Sequence, residues 1–370
     1  MNLDELNFDL PADRIAQRPL AARDASRMLL LDKTTGAWDD RQFREFPDLL
    51  RGDELIVLNN ARVLPARLFG RRVGIHAEPP GIHNPARHEY LQAPIEVLLV
   101  RQLSPDTWET LVRPGRKISV GEKIIFGEAA VGGEPELEAV TESRGDYGLR
   151  VLRFSSKTGL HDALARLGHI PLPPYIKRAD EPADRERYQT IYASQGSAVA
   201  APTAGLHFTP EILQRIRARN IAIAEITLDV GLGTFEPVRT EHLEDHKLHV
   251  ESYEIPDATA QAIAQAQSEV RPILAIGTTV VRALEDAAEK AAQRGSKTLN
   301  PGKSEAAIFL YPGKPLRVVS QLLTNFHLPQ SSLLALVGTL AGQENILRAY
   351  RHAVAAEYRF YSYGDCMLIR

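Results

Sequence analysis

The sequence has little cysteine, no long apolar run and no excess of positive charge. Its 370 residues include one cysteine, Cys366, which excludes an internal disulfide framework and a zinc site built from cysteines. No apolar run approaches the roughly 20 residues that a membrane-spanning helix needs. The formal net charge of -3 argues against an evenly basic nucleic-acid-binding protein, although a local basic patch can still supply phosphate contacts. The N-terminal segment lacks the basic and apolar regions of a signal peptide, so we expect a cytoplasmic protein.

Several familiar catalytic motifs are also absent. There is no Gly-x-Ser-x-Gly elbow, no complete phosphate-binding loop ending in Gly-Lys-Ser/Thr, and no His-Glu-x-x-His pair. The histidines of a proline-rich segment, His76, His83 and His88, lack ordered ligand spacing, so we expect no metal site there.

Composition and pattern predict a mixed α/β fold with two domains. Hydrophobic residues make up 44% and charged residues 25% of a chain long enough to bury a large core. From about Gly70 to Phe154, short apolar runs alternate with turn residues, which is typical of a small barrel or sandwich. We therefore expect a discontinuous α/β domain, residues 1–69 and 155–370, with a small all-β barrel domain, residues 70–154, inserted into it.

The stretch Ala200–Glu211 combines small residues with His207 and a helix start. Thr209 suits the N-cap position and Pro210 the first helical position. A loop of glycine and alanine lets backbone approach a ligand, and a helix N-terminus offers free N–H groups to it. The alternative is an ordinary capped helix after a tight turn.

Polar or small residues follow several predicted strands: Glu54–Asn60, Ile221–Val230 and Pro272–Ile276. In α/β folds ligands bind beyond the carboxyl ends of the strands, so this pattern indicates an enzyme cleft along one rim. Arg282 either reaches that rim or pairs with Glu285 one helical turn away. A polar loop up to Glu305 and a further strand, Ala307–Tyr311, are also predicted.

One segment favours a different function. Leu228–Phe235 resembles the glycine-rich first motif of Rossmann-type methyltransferases, which cradles S-adenosylmethionine, although Phe235 stands where a further glycine is usual. An RNA methyltransferase is therefore the first alternative. A non-catalytic RNA-binding protein with a β-barrel module is the second.

Taken together, long motifs across nearly the whole chain resemble the S-adenosylmethionine:tRNA ribosyltransferase-isomerase family of the queuosine pathway. The segments that carry the resemblance are Asn59–Leu68, Arg113–Lys117, Gly168–Ile176, Arg187–Thr190, Ala200–Thr209, Gly231–Phe235, Gly277–Thr279 with Val281–Arg282, Leu323–Pro329 and Tyr363–Asp365. Three features depart from the family pattern: Asp229 replaces a usual histidine, Cys366 replaces a usual alanine, and His76–Gln92 is an insertion.

The resemblance implies transfer of the ribosyl part of S-adenosylmethionine to 7-aminomethyl-7-deazaguanine at the tRNA wobble position. The ribose is isomerised on the way, which gives epoxyqueuosine and releases adenine and methionine. It further implies a large mixed α/β domain, with the possible form of a rudimentary barrel, carrying a small inserted β-barrel. The expected partners are tRNA and S-adenosylmethionine, with no metal, no other cofactor, no membrane and a monomeric state.

This chemistry needs a base near the ribose C5′, which the sulfonium acidifies, and a donor for the departing adenine. His207 is the leading candidate for proton transfer, followed by His327 and His249, with Glu251 or Asp365 as carboxylate bases. Aromatic side chains such as Tyr175 and Phe208 are suited to a cation–π contact with the sulfonium.

The other expected site residues fall into two groups. Substrate-binding candidates are Asn59, Asn60, Arg62, Tyr175, Thr203, Phe208, Thr209, Asp229, Gly231, Gly233, Thr278, Thr279, Arg282 and Asn325. The basic residues expected to contact the tRNA backbone are Arg67, Arg71, Arg72, Arg113, Arg116 and Lys117.

Overall fold

The computed structural model describes residues 3–73, 94–127, 135–231 and 250–370. Gly233, His249 and the histidine-containing segment 76–92 lie outside the described residues, as does the side chain of Lys117. Within the described ranges, no helix is both long enough and apolar enough to cross a membrane.

The strands follow one another along the chain as β1 Arg27–Leu31, β2 Trp38–Gln42, β3 Leu55–Asn59, β4 Ala61–Val63, β5 Arg67–Arg72, β6 Ile95–Gln102, β7 Thr107–Arg113, β8 Lys123–Phe126, β9 Leu137–Arg144, β10 Leu149–Ser156, β11 Gln195–Ala198, β12 Ala222–Leu228, β13 Glu251–Ile255, β14 Ile273–Ile276, β15 Gly302–Ala306, β16 Gln321–Asn325 and β17 Cys366–Ile369. The α-helices are α1 Phe46–Leu49, α2 Leu160–Leu167, α3 Asp184–Arg187, α4 Pro210–Ala218, α5 Asp257–Ser268, α6 Thr278–Gln293, α7 Ser332–Ala341 and α8 Gln343–Ala355.

The chain divides into two compact units. The first comprises Met1–Arg62, Pro173–Ala179 and Glu186–Arg370, and the second comprises Val63–Leu172 and Asp180–Arg185. Strands β5 to β10 of the second unit form a closed six-stranded antiparallel barrel. The mixed α/β fold with an inserted β-barrel is thus confirmed. The unit extends beyond the predicted limits 70 and 154, because both limits fall inside strands of the barrel.

The first unit is built on a nine-stranded mixed sheet in the order β15-β13-β12-β3-β14-β16-β17-β1-β2. In the described part of the chain this sheet has two ends, β15 and β2, so it is an open sheet and not a rudimentary barrel. Strand β3 lies in its middle, parallel to β12 on one side and to β14 on the other.

Both faces of this sheet are buried, as the continuous apolar run of β3 predicts. Leu55 and Val57 belong to one hydrophobic cluster, and Ile56 and Leu58 belong to the other, because successive side chains point to opposite faces. Helices α5 to α8 contribute to the first cluster, and α4 together with the Phe43–Leu50 segment contributes to the second. The sheet is therefore rigid where its strand ends carry polar residues.

Helix α4 begins as the sequence predicts. Thr209 Oγ1 accepts a hydrogen bond from Ile212 N at 3.3 Å, and Pro210 occupies the first helical position. The predicted strand Ala307–Tyr311 is wrong in position, since the strand of this region is β15, Gly302–Ala306. Among the described strands β15 pairs with β13 alone, so it lies at an edge, and its polar side chains tolerate the solvent that an edge exposes.

Candidate active site

A cavity lies at the rim where the parallel strands β12, β3, β14 and β16 have their carboxyl ends. Its empty volume is about 510 Å³, including space open to solvent. The wall contains residues at or shortly after the ends of three of these strands, namely Val230, Gly277–Thr279 and Thr324–His327. Further wall residues come from other connections: Tyr175, Ala201, Pro202, Thr203, Ala204, Leu333, Tyr361 and Ser362. We call this space the rim cavity. Its position fits the general rule that ligands bind beyond the strand ends.

Asn325, in the wall of the rim cavity, is held by a buried network. Its Nδ2 donates to Tyr361 O at 2.9 Å and to Ser362 O at 3.4 Å, which leaves Oδ1 for His207 Nε2 at 3.3 Å. An amide oxygen only accepts, so Nε2 of His207 carries the proton, and Nδ1 accepts from Ser26 Oγ at 2.9 Å. Burial lowers the pKa of His207 to about 4, and the ring is therefore neutral near pH 7.

His207 consequently lies behind Asn325 and not in the wall of the rim cavity. Both of its ring nitrogens are used inside the protein, and the opening that it does line is a separate shallow one beside Arg23 and Arg187. In this arrangement His207 fixes the orientation of the Asn325 amide.

His327 presents a ring nitrogen to the rim cavity. Its Nε2 lies 3.0 Å from Thr324 Oγ1, whose second acceptor, Asn325 O, is farther away at 3.3 Å. Thr324 has one hydroxyl proton. If it goes to Asn325 O, His327 Nε2–H donates to Thr324 Oγ1; if it goes to Nε2, the ring proton is on Nδ1. Nδ1 has no partner among the residues that the structure describes. Burial lowers the pKa of His327 to about 3, so the ring is neutral near pH 7.

Stability is expected to fall on acidification, because both buried histidines have pKa values below the unfolded value of 6.5. As the pH falls below about 6.5, the unfolded chain takes up these protons before the folded protein does. The free energy of unfolding is therefore highest above about pH 6.5 and decreases as the pH falls toward about 4. Each histidine adds a slope of about 1.4 kcal/mol per pH unit in that window. Urea unfolding of the wild type and H207Q at about pH 7, 6 and 5 measures it. The stability difference between the two proteins should shrink toward low pH; a constant or growing difference would contradict this.

A second cavity adjoins the first, and both are lined by Thr278, Thr279 and Leu333. Its empty volume is about 410 Å³, again including open space. On its wall Arg282 Nη1 forms an ion pair with Glu251 Oε2, and the two side chains are only 9% and 4% exposed. Gly231 N donates to the other Glu251 oxygen at 3.0 Å. We call this space the side cavity.

The buried pair replaces one of the two predicted alternatives for Arg282, the contact with Glu285; Arg282 instead lines the side cavity. Glu285 instead accepts three backbone N–H groups, from Arg317, Val318 and Val319, at 2.6 to 2.9 Å. Burial raises the pKa of Glu285 in spite of these bonds. Glu251, a candidate base from the sequence, is committed to its ion pair.

Two tyrosines form an aromatic corner of the rim cavity. The rings of Tyr175 and Tyr361 have centroids 3.9 Å apart, and the Tyr175 hydroxyl is hydrogen-bonded to Ser362 Oγ. Tyr361 has a φ of 73°, a left-handed conformation that is rare for a bulky residue. Strained backbone of this kind concentrates at functional sites, and here it places a ring over the cavity.

Comparisons with known proteins identify the family. Residues 3–369 match the model of the family described as queuosine biosynthesis protein. The chain is 51% identical to an S-adenosylmethionine:tRNA ribosyltransferase-isomerase from Solibacter usitatus and 42% identical to one from Desulfitobacterium hafniense, covering all of both proteins in each case. This chain belongs to the queuosine biosynthesis protein family.

A solved structure is similar over the full length as well. The crystal structure of an S-adenosylmethionine tRNA ribosyltransferase from Thermotoga maritima shares 31% identity with this queuosine biosynthesis family member. The match covers 99% of this chain and 100% of that one, with a TM-score of 0.51.

The structure brings many of the expected site residues of this queuosine biosynthesis family member together. Those that line the rim cavity or the side cavity are Tyr175, Thr203, Glu251, Thr278, Thr279, Arg282, Asn325 and His327. Gly277 also lines the rim cavity, and His207 bonds to Asn325, so the distant segments named from the sequence do converge.

Other expected residues hold the scaffold together away from both cavities. The amide of Asn59 bonds to Leu228 and Thr279, and that of Asn60 bonds to Glu225 and Thr227. These bonds tie the end of β3 to β12 and α6, which leaves both amides occupied.

Phe208 and Asp365 are likewise structural. The Phe208 ring packs edge-on against Phe43 and Phe46 at 5.2 and 5.7 Å, so it belongs to the core and not to a sulfonium site. The two oxygens of Asp365 accept Arg27 N and Arg359 N, each at 2.8 Å. Burial raises the pKa of Asp365. Thr209 serves as the helix cap described above. Gly231 donates its N–H to Glu251, and neither it nor Asp229 lines either cavity.

Thr324, Leu333, Tyr361 and Ser362 are among the wall residues that the sequence did not single out. Thr324 sits inside the motif Leu323–Pro329, beside the predicted Asn325, and its strand position was the available signal. Tyr361 and Ser362 fall in an aromatic run near the C-terminus, and Leu333 follows a helix cap. No local pattern marks these last three, because their role depends on how remote segments meet.

The expected tRNA-contacting arginines differ in exposure. Arg67 is ion-paired with Glu96 at 3.1 Å and donates to Leu172 O at 3.1 Å, so it stabilises the barrel unit. Arg71, Arg113 and Arg116 have exposed side chains in that unit. Arg62, expected to bind substrate, is exposed in the other unit and is not among the residues that line the rim cavity or the side cavity. Arg72 is only partly exposed.

Proposed function

We propose that this protein transfers and isomerises the ribosyl moiety of S-adenosylmethionine onto 7-aminomethyl-7-deazaguanine in the wobble position of tRNA. The products are epoxyqueuosine in tRNA, adenine and methionine. The observation that carries the proposal is the match, from end to end, to relatives named S-adenosylmethionine:tRNA ribosyltransferase-isomerase. The rim cavity, which is lined by two paired tyrosines and by buried amide and imidazole groups, supports it.

In this proposal the residues of the rim cavity bind the nucleoside. In the tautomer with its ring proton on Nδ1, neutral His327 donates a hydrogen bond to the departing adenine and keeps that proton, so the bond stabilises the negative charge that develops on the leaving group. Asn325 offers the second lone pair of its Oδ1, and His207 keeps the amide in one orientation. The Tyr175 and Tyr361 rings face the sulfonium through a cation–π contact.

The decisive experiment is product analysis. Incubation of the purified protein with S-adenosylmethionine and tRNA that carries the deazaguanine precursor should release adenine and methionine. Release of S-adenosylhomocysteine would instead identify an RNA methyltransferase, and tRNA retention without turnover would identify a binding module.

We further propose a monomeric, cytoplasmic enzyme without another cofactor. Protein treated with a chelator should therefore keep its activity, and the protein should elute at the monomer mass in size-exclusion chromatography.

We also propose that exposed arginines of the barrel unit contact the tRNA backbone. R71A and R113A are each expected to weaken tRNA binding most strongly at low salt concentration, because each phosphate contact releases counterions. Each substitution should reduce the slope of log affinity against log salt by about 1. Fluorescence anisotropy with labelled tRNA over a salt series measures both quantities.

R153A is the matched control for the tRNA measurement. Arg153 belongs to the same barrel and is exposed, but it is ion-paired with Glu142. Its substitution should leave the salt slope unchanged. If R71A and R113A keep the salt slope of the wild type, as R153A should, this surface is ruled out as the tRNA contact.

A further inference from the structure

Two helices begin at the boundary between the rim cavity and the side cavity. Helix α6 starts at Thr278 and runs for 16 residues, and α7 starts at Ser332 and runs for 10. Thr278, Thr279 and Leu333 line both cavities, and Ser332 lines the side cavity. We call these four residues the paired helix starts.

The backbone N–H groups of the paired helix starts have no acceptor among the described residues. In α6 the capping bonds begin only with Val280 N, which donates to Gly277 O at 3.2 Å. In α7 they begin with Leu334 N, which donates to Ser331 Oγ at 3.2 Å. Four amides at two positive helix ends therefore meet at one place, an arrangement that favours an anion.

Two buried hydroxyls point independently to a ligand. Thr278 is 8% exposed and Ser332 is 6% exposed, and neither hydroxyl has a hydrogen-bond partner in the part of the chain that the structure describes. The hydroxyls of the adjacent residues do have partners: Thr279 Oγ1 accepts a hydrogen bond from Asn59 Nδ2 at 3.3 Å, and Ser331 Oγ caps α7. Neither hydroxyl oxygen is fully closed off from solvent, so each can take a bound group as its hydrogen-bond partner.

The surroundings select the kind of anion. Ile308, Leu310 and Leu336 give the side cavity an apolar wall, and the charge of Glu251 is balanced by its partner Arg282. Such a space suits a short aliphatic chain that ends in a carboxylate better than a hydrated phosphate.

We propose that the paired helix starts bind the α-carboxylate of the methionine moiety of S-adenosylmethionine, with the Thr278 and Ser332 hydroxyls as donors. The aliphatic part of the methionine lies along the side cavity, and the nucleoside occupies the rim cavity. This inference rests on the proposed function. It assigns the carboxylate of the cosubstrate to residues that have no other role in the proposed reaction.

The test compares two ligands that differ only in the carboxylate. Isothermal titration calorimetry measures the Kd of S-adenosylmethionine and of decarboxylated S-adenosylmethionine for the wild type, T278V and S332A. The wild type should bind the first ligand more tightly. Each variant should weaken that binding about tenfold, as expected for the loss of a hydrogen bond to a charged group, and change binding of the decarboxylated ligand less than twofold. T339V, a matched change on α7 whose hydroxyl bonds to Ala335 O, should alter neither Kd.

Several results would overturn the assignment. Equal losses for both ligands would mean that the hydroxyls act only through the fold. Unchanged S-adenosylmethionine binding with a raised KM for tRNA would mean that the anion is a tRNA phosphate. Equal affinity of the wild type for both ligands would show that no carboxylate site exists. If the wild type binds neither ligand and releases no adenine with tRNA, the proposed function itself fails, and the carboxylate site fails with it.

Discussion

Replacement of His327 by alanine is expected to lower kcat by about 100- to 1,000-fold, the usual cost of losing a donor aimed at developing charge. The reason is that His327 lines the rim cavity and that its Nδ1, which carries the proton in the proposed tautomer, has no partner among the described residues. The KM for S-adenosylmethionine should change little if the contact strengthens only as adenine departs. Single-turnover release of adenine, followed by chromatography, measures the effect.

Two further variants separate chemistry from structure. H327N keeps an N–H donor near the position of Nδ1 and should recover part of the rate that H327A loses. H352A changes a histidine on α8 that is paired with Asp40 outside both cavities, and it should retain wild-type turnover. If H327A keeps a rate within a few-fold of wild type, or if H327N is equally slow, the donor role is refuted.

Replacement of Glu251 by alanine is expected to reduce the free energy of unfolding by about 3–5 kcal/mol, because it leaves the buried guanidinium of Arg282 without its counter-charge. Gly231 N loses its acceptor as well. Urea denaturation followed by circular dichroism measures the change.

The double variant E251L/R282M is the internal check on that mechanism. Replacing both charges by apolar groups removes the unpaired cation, so it should cost less than E251A alone. D48A breaks an exposed ion pair with Arg215 and should cost at most about 1 kcal/mol. A loss in E251A no larger than in D48A would contradict the buried-pair interpretation.

Elements set by local pattern were predictable. The Thr209–Pro210 helix start follows from capping chemistry, and the doubly buried β3 follows from its unbroken apolar run. The inserted barrel follows from short strands at regular spacing. Each of these depends on neighbours within one turn or one strand, which the sequence displays directly.

Features that depend on distant partners were predicted less well. Arg282 has an acid one helical turn away in Glu285, yet it pairs with Glu251 on β13. The two histidines show the same difficulty. His207 lies in the more conspicuous motif, but its ring nitrogens are hydrogen-bonded to Ser26 and Asn325, whereas His327 lines the rim cavity.

The sequence by itself determined the fold class, the inserted barrel, the rim on which the site lies and the family resemblance. Hydrophobic periodicity, turn residues and long motifs are formed by residues close together in the sequence, so they can be recognised without the structure. Only the tertiary structure decided which polar groups remain available to a ligand. That availability depends on whether another segment satisfies each donor and acceptor first. For Asn59, Asn60 and Asp365 another segment does. For His327, Thr278 and Ser332 a ring nitrogen or hydroxyl stays open toward a cavity within the described chain.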